Sequence, residues 1–298
     1  MRHRLLATFM LAALAAITLP DAGGKLRTLT ASARPAAAQD GYQEKHKHDG
    51  DDYDSQKEKH RGGDDDSEFT ERDEFRQSYT LAPGATVRVS GINGSVDVET
   101  SQGGAAEVYV LRTARSRSDL EYRKVIVEQT GTGLVVRGEN ERDKGYRERD
   151  NVQVRQRVTM KIPRNVDFTA SGINGRATVG EVDGPVKLSG INGAVVVGQA
   201  RGYTEISGIN GSVGMTITQL GERGIRVSGV NGAVVLHFDG ALNADLSVNG
   251  VNGSVNADMP NVTLQGRVSR TSFNAKIGGG GAPISVSGIN GSVKLLPR

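Results

Sequence analysis

The stretch VKLSGINGAVVV, residues 186–197, decides how this chain folds. Val186 and Leu188 alternate with polar or small neighbours before its centre, and Val195 and Val197 do so after it. Period-two alternation of β-branched and aliphatic residues signals half-buried strands. Between the two runs lies Ser-Gly-Ile-Asn-Gly, and that word is not unique. SGINGSV occupies 90–96, 207–213 and 287–293, with near copies at 171–177, 189–195, 228–234 (SGVNGAV) and 249–255 (NGVNGSV). Successive words start 81, 18, 18, 21, 21 and 38 residues apart. A fixed spacing near 20 residues is the signature of a repeat architecture. The interval of 38 reads as two periods of 19, with an eroded copy near VSRTSFNAKIG, 268–278.

Each repeat therefore reads as strand, corner, strand. Asn-Gly supplies the corner, because both residues tolerate positive φ at little steric cost. Two architectures fit: a series of β-hairpins with Asn-Gly turns, or a solenoid in which each repeat is one coil. The solenoid is preferred. Stacked coils lie about 4.8 Å apart, the spacing of paired strands, so each Asn sits on the Asn of the next coil and the amides can bond along the stack. That gives a reason for Asn93, Asn174, Asn192, Asn210, Asn231, Asn252 and Asn290 to recur. An exposed hairpin turn accepts several other residue pairs and would vary. The apolar residue before each Asn (Ile92, Ile173, Ile191, Ile209, Val230, Val251, Ile289) would plug the core at the corner. The expectation is an all-β, single-stranded β-solenoid (β-helix) of 18–21-residue coils, with an N-terminal antiparallel β region as its cap.

Composition agrees with a stack of small residues. The 298 residues include 40 Gly and no Trp, and only 4% are aromatic. With no Cys, disulfides, thiolate metal sites and a lipid-anchored Cys are excluded. The chain divides by charge. Residues 1–39 carry five Lys/Arg and one acid, 40–76 seven and fourteen, and 77–298 twenty-five and nineteen. Arg2 and Arg4 precede the apolar run Leu5–Leu19, the pattern of a secretory signal. That run is shorter than the about 20 residues a membrane span needs. Residues 1–38 are read as a signal peptide cut after Ala38, 39–76 as a disordered charged linker, and 77–298 as the folded domain. No membrane span is expected in the mature chain. The basic excess of the folded part is dispersed without aromatic interleaving, so nucleic-acid binding is not expected.

Within the folded part, 77–166 is read as the cap and 167–298 as the coils. NVQVRQRVTMKIP (151–163) alternates like a long strand, and KVIVEQTGTGLVVRG (124–138) reads as strand, turn, strand. Phe75 through Val89, turning at APGA (82–85), reads as a hairpin of the same cap. TARSRSDLEYR (113–123) is either a short helix or a charged loop. A solenoid end needs such a cover, because a bare coil offers unpaired backbone groups to other chains.

A search for chemistry returns little. Paired catalytic carboxylates would have to share a column of neighbouring coils. Asp97, Glu181, Asp183, Asp239, Asp245 and Asp258 fall at different offsets within their repeats. His237 is the one His in the repeats, so a Ser-His-Asp triad has no second candidate. HKHDGDDYD (46–54) matches no calcium-loop spacing and reads as a solvated spacer. GGGG (278–281) lacks the Lys-Ser/Thr of a phosphate loop and reads as a bulged connector. No cofactor and no metal are expected, and the chain is read as no enzyme.

A binding surface is the better candidate. After each corner the outward positions include Ala194 and Val196, Ser212, Ala233 and Val235, and Ser254 and Asn256. This face is expected to be flat, small-chained and uncharged, and such β surfaces favour association. It would dock a protein partner, a glycan of the cell envelope or a second copy.

Residues 75–298 also resemble a bacterial family of candidate adhesins, a domain without assigned function related to head-GIN repeat proteins. The resemblance rests on YTLAPGATVRVSGINGSVDVE (79–99), a charged strand-rich insert, KIPRNV (161–166) and the serial Gly-Ile-Asn-Gly units. It implies an exported β-solenoid and supplies no catalytic motif. The ending SVKLLPR (292–298) has no sorting signal, which favours a periplasmic or secreted, cell-surface location over covalent display. The expected role is an adhesin or envelope scaffold. The alternatives are a periplasmic sensing or regulatory accessory and, from the enzyme class, polysaccharide processing.

Overall fold

The computed structural model describes residues 68–140, 152–238, 242–259, 262–265, 269 and 271–298. The expected signal peptide, residues 39–67 of the expected linker and the 46–54 segment lie outside these residues. No helix among the described residues is long and apolar enough to cross a membrane.

The chain begins with β1 (Glu71–Thr80), β2 (Thr86–Ser90), β3 (Gly94–Ser101) and β4 (Ala105–Ala114). Helix α1 (Arg117–Tyr122), β5 (Arg123–Thr130), β6 (Gly133–Asn140) and β7 (Val154–Pro163) follow. Strand pairs then succeed one another: β8 (Asp167–Ile173) and β9 (Ala177–Val182), β10 (Val186–Ile191) and β11 (Val195–Ala200), β12 (Thr204–Asn210) and β13 (Val213–Ile217), β14 (Ile225–Asn231) and β15 (Val234–Phe238), β16 (Ala244–Asn252) and β17 (Val255–Ala257). The chain closes with β18 (Val262–Gln265), β19 (Phe273–Ile277), β20 (Ala282–Asn290) and β21 (Val293–Pro297).

Two large mixed sheets result. The ten-stranded sheet runs β1-β4-β7-β3-β9-β11-β13-β15-β21-β17, and the eleven-stranded sheet β18-β19-β16-β20-β14-β12-β10-β8-β2-β6-β5. Every repeat word joins a strand of one sheet to a strand of the other, so each repeat is one layer across both. Neighbouring layers pair parallel and in register: Leu188 aligns with Ala170 and Ile206, and Val197 with Val179 and Met215. The inward residues form one continuous core between the sheets, from Tyr79 to Leu295. Ile191, Ile209 and Ile289, each 1% exposed, fill the corner end of that core.

The two glycines of the word do different work. Gly190 adopts φ 60, a left-handed conformation that costs a side-chain-bearing residue about 1–2 kcal/mol. Gly193, at φ 158, is close to extended, but a Cβ there would lie 2.3 Å from the Gly175 carbonyl oxygen of the next layer. The turn residue is thus the glycine after Ser. The glycine after Asn is there because adjacent layers approach too closely for any side chain.

Several expectations are corrected. Phe75–Val89 is no hairpin: β1 pairs with β4 in one sheet, whereas β2 pairs with β6 and β8 in the other. Pro83 and Gly84 (φ 77) carry the chain across. Strand structure also includes residues before 77, since β1 spans Glu71–Thr80. Strand β1 lies partly inside the acidic stretch and is held by charge as well as by its backbone ladder: Asp73 pairs with Arg112 and Glu107 with Arg76. The stretch 268–278 contributes no parallel layer. Its strand β19 pairs antiparallel with β16 and β18, and Phe273, Ala275 and Ile277 are its buried residues. The insert at 105–163 is mixed. Strands β6 and β7 pair parallel to β2 and β3 and add one layer, while β4, β1 and β5 continue antiparallel beyond it.

The order of layers departs from the order of the chain. Strands β20 and β21, carrying the last repeat word, lie between β14/β15 and β16/β17. Ser287 pairs with Ser228 on one side and Asn249 on the other. The antiparallel β18–β19 excursion reverses the chain, so that its next parallel strand enters on the inner side of β16.

Candidate functional site

At the corners the side-chain amides form one directed series. Asn174 Nδ2 donates to Asn93 Oδ1 (2.9 Å), Asn192 to Asn174 (3.0 Å), Asn210 to Asn192 (2.9 Å) and Asn231 to Asn210 (3.0 Å). Asn290 then donates to Asn231 (2.9 Å) and Asn252 to Asn290 (3.2 Å), following the spatial order of the layers. The series ends inside the insert. Asn93 Nδ2 donates to the Val154 carbonyl (3.0 Å), and the Asn93 backbone N–H donates to Gln156 Oε1 (2.8 Å). Gln156, 4% exposed, aligns with Gly94 and takes the Asn93 backbone N–H, not its side-chain amide. No sequence signal marked it, since the insert carries no repeat word. Amides aligned in this way polarise one another, so the series acts cooperatively.

The outward side of the ten-stranded sheet presents the other candidate residues. Backbone bonds place Ala194, Ser212 and Ala233 in one column, continued by Ser292 and then Ser254. The next outward column reads Asp97, Thr178, Val196, Gly214, Val235, Lys294, Asn256. Val196 is 42% exposed, and the space above Gly214 is open, since a Cβ there meets nothing within 4 Å. The expected uncharged surface from Ala194 to Asn256 is corrected here. Lys294 stands between Val235 and Asn256, because the 282–297 layer is interposed. In that column the uncharged run spans Thr178 to Val235, four layers, while the neighbouring column has the exposed Arg176 in the Thr178 layer. The outward side of the other sheet is different: Arg88, Thr169, Lys187, Glu205 and Arg226 follow one another across five layers.

The structure's charged side chains gather elsewhere. A cleft of about 480 Å³ opens where the chain leaves β3 and re-enters from β7, lined by Gln102, Arg164, Asp183 and Arg201 among others. Arg164 pairs with Glu181 (2.7 Å) and Asp183 (3.7 Å), and Arg201 with Asp183 (3.5 Å). Two cations thus meet two carboxylates and their charges balance. These positions look unrelated in sequence because β3, β7, β9 and β11 converge only in space. His237 lies on the outward side of β15, level with Thr216 and Leu296.

Comparison with solved structures adds one result. Candidate adhesins are among the solved structures to which the chain is similar. A candidate cell adhesion protein of Clostridium sporogenes shares 10% identity over 76% of this chain and all of its own, with a TM-score of 0.41. A candidate adhesin of Bacteroides fragilis shares 11% identity over 75% of this chain and 97% of its own, with a TM-score of 0.32. One of Parabacteroides merdae shares 14% identity over 75% and 96%, with a TM-score of 0.25. No protein-family model and no curated protein matches the chain.

Proposed function

We propose that the chain is an exported, non-catalytic β-solenoid of the Gly-Ile-Asn-Gly type that serves as an adhesin or cell-envelope scaffold. Its coils engage a protein or glycan partner through the outward side of the ten-stranded sheet. One observation carries this reading. In a chain that is 24% charged, one outward column of that sheet reads Thr178, Val196, Gly214 and Val235 across four consecutive layers. A level, uncharged sheet surface is costly to leave in water and ready to pack. The corner amides support the same role: they tie the layers together and hold that surface in register.

The test is adhesion of cells to immobilised protein. The Val196→Lys/Val235→Lys variant should lose most binding while keeping its thermal midpoint within a few degrees. Undiminished binding refutes the assignment of the face. Cell fractionation checks export, with the protein expected in the periplasmic or surface fraction.

A further inference from the structure

The column that carries the proposed binding face is complementary to itself when turned end for end. Across successive layers it reads Asp97, Thr178, Val196, Gly214, Val235, Lys294. Let a second copy face it, related by a two-fold axis parallel to the strands and passing between Val196 and Gly214. The rotation reverses the order of the layers and keeps each column over its own counterpart. Asp97 then faces Lys294 of the second copy, Thr178 faces Val235, and Val196 faces Gly214, and by symmetry each contact occurs twice.

Three features of the column fit this arrangement. Among the described residues no ion pair engages Asp97 or Lys294, so both charges are free to be met from outside. The exposed Val196 meets the position that has no side chain and open space above it. The unreversed arrangement puts Asp97 on Asp97, Lys294 on Lys294 and Val196 on Val196, so both charge and shape select the reversed one. Two uncharged sheet surfaces also pack face to face at about 10 Å in sandwich folds, with strands nearly aligned.

We propose that the partner of this face is a second copy of the chain, bound as a reversed, isologous dimer. The proposal rests on the binding-face reading above and names its occupant. Six layers at about 4.8 Å, with strands about 20 Å wide, bury on the order of 1,000 Å² over both copies, the low end of specific interfaces. The dimer is accordingly weak, with a Kd in the micromolar range, and two copies on facing surfaces would join homophilically.

Sedimentation equilibrium of the purified chain tests this at 1–500 µM. The unaltered protein should pass from monomer to dimer. Asp97→Lys and Lys294→Asp should each weaken the dimer at least about tenfold, the scale of close interfacial charge pairs. The double variant should return to within about threefold of the original. Gly214→Val fills the hollow, and its Cβ meets nothing of its own chain within 4 Å, so it should weaken the dimer by a similar factor without lowering the thermal midpoint. A monomer at every concentration, or a double variant no better than the singles, overturns the proposal. Cell adhesion measured at concentrations where all variants are monomeric separates the two readings. Adhesion lost in Val196→Lys/Val235→Lys with no dimer at any concentration keeps the face and removes the second copy. Charge-swap rescue of a dimer with adhesion unaffected by those lysines keeps the dimer and removes the adhesive role.

Discussion

The two ends of the layered core are finished differently. At the β2/β3 end the insert supplies a further parallel layer, β6 and β7, and then antiparallel strands β5, β4 and β1. The amide series stops on the Val154 carbonyl, a buried Gln156 takes the Asn93 backbone N–H, and Arg112 ties Asp73 to the carbonyls of Leu120 and Arg123. At the β16/β17 end β19 and β18 cover one sheet only. The other sheet stops at β17, a strand of three residues whose Asn256 and Ala257 are exposed. One end is closed by dedicated sequence. The other is blunted by brevity, a recognised way of making an edge unattractive to other chains. The difference teaches that equal repeat words need not be equally held, since a word between two layers is confined from both sides throughout, whereas the word at β16/β17 is confined from both sides only in its β16 half and from a single side at β17.

The sharpest way to break this comparison is to place the same clash at both positions. Gly193→Val should cost ~4 kcal/mol or prevent folding, because its Cβ would meet the Gly175 carbonyl oxygen at 2.3 Å between two fixed layers. Gly253→Val, with its Cβ 2.0 Å from the Gly291 oxygen, should cost only ~1–2 kcal/mol, since the adjoining strand β17 is the last of its sheet and can shift outward. Equal losses in urea midpoint would show that the ends are held alike.

Gln156→Leu should come next, at ~2 kcal/mol, because it leaves the Asn93 backbone N–H without its acceptor beneath a buried side chain. Slower hydrogen exchange at Asn93 in the variant would contradict this. Asn210→Ala removes two amide bonds and should cost ~1–2 kcal/mol, whereas Asn252→Ala removes one and should cost under ~1 kcal/mol. A larger loss at Asn252 would reverse the ranking of the two ends.

The smallest effect is one of pH. Burial lifts the Tyr79 phenol above its ordinary value, so the folded state favours the protonated form. That contribution is full below the unfolded titration near about pH 10 and is lost as pH rises through the higher folded value. Urea midpoints between pH 9 and 11 should therefore fall less in Tyr79→Phe than in the unaltered protein.

Much of this was legible in the residues. The spacing of Asn marked the layers, and Ile or Val before each Asn marked the corner of the core. What stayed hidden has physical causes. The word at 287–293 pairs equally well with any other copy, since identical residues meet identical residues, so nothing in it specifies which layers it separates. That choice is made by the β18–β19 excursion, whose weak alternation reads as an eroded repeat. The start of strand β1, residues 71–74, reads as unstructured because it is wholly charged, and its partners on β4 (Glu71 with Ala114, Glu74 with Leu111) lie over thirty residues away. Lys294 was visible as a residue but not as an interruption, because its place follows from the interposed layer. The distinct tasks of the two glycines require distances between layers, which spacing alone does not supply.

Interposition also bears on biogenesis. Residues 244–257 leave the ribosome before 282–297, yet the later segment is their neighbour on the core side. During vectorial synthesis, the earlier segment must either wait undocked or occupy the wrong berth on β14/β15 and be evicted. A nascent chain stalled before residue 282 would thus be left with two unfinished layers instead of one.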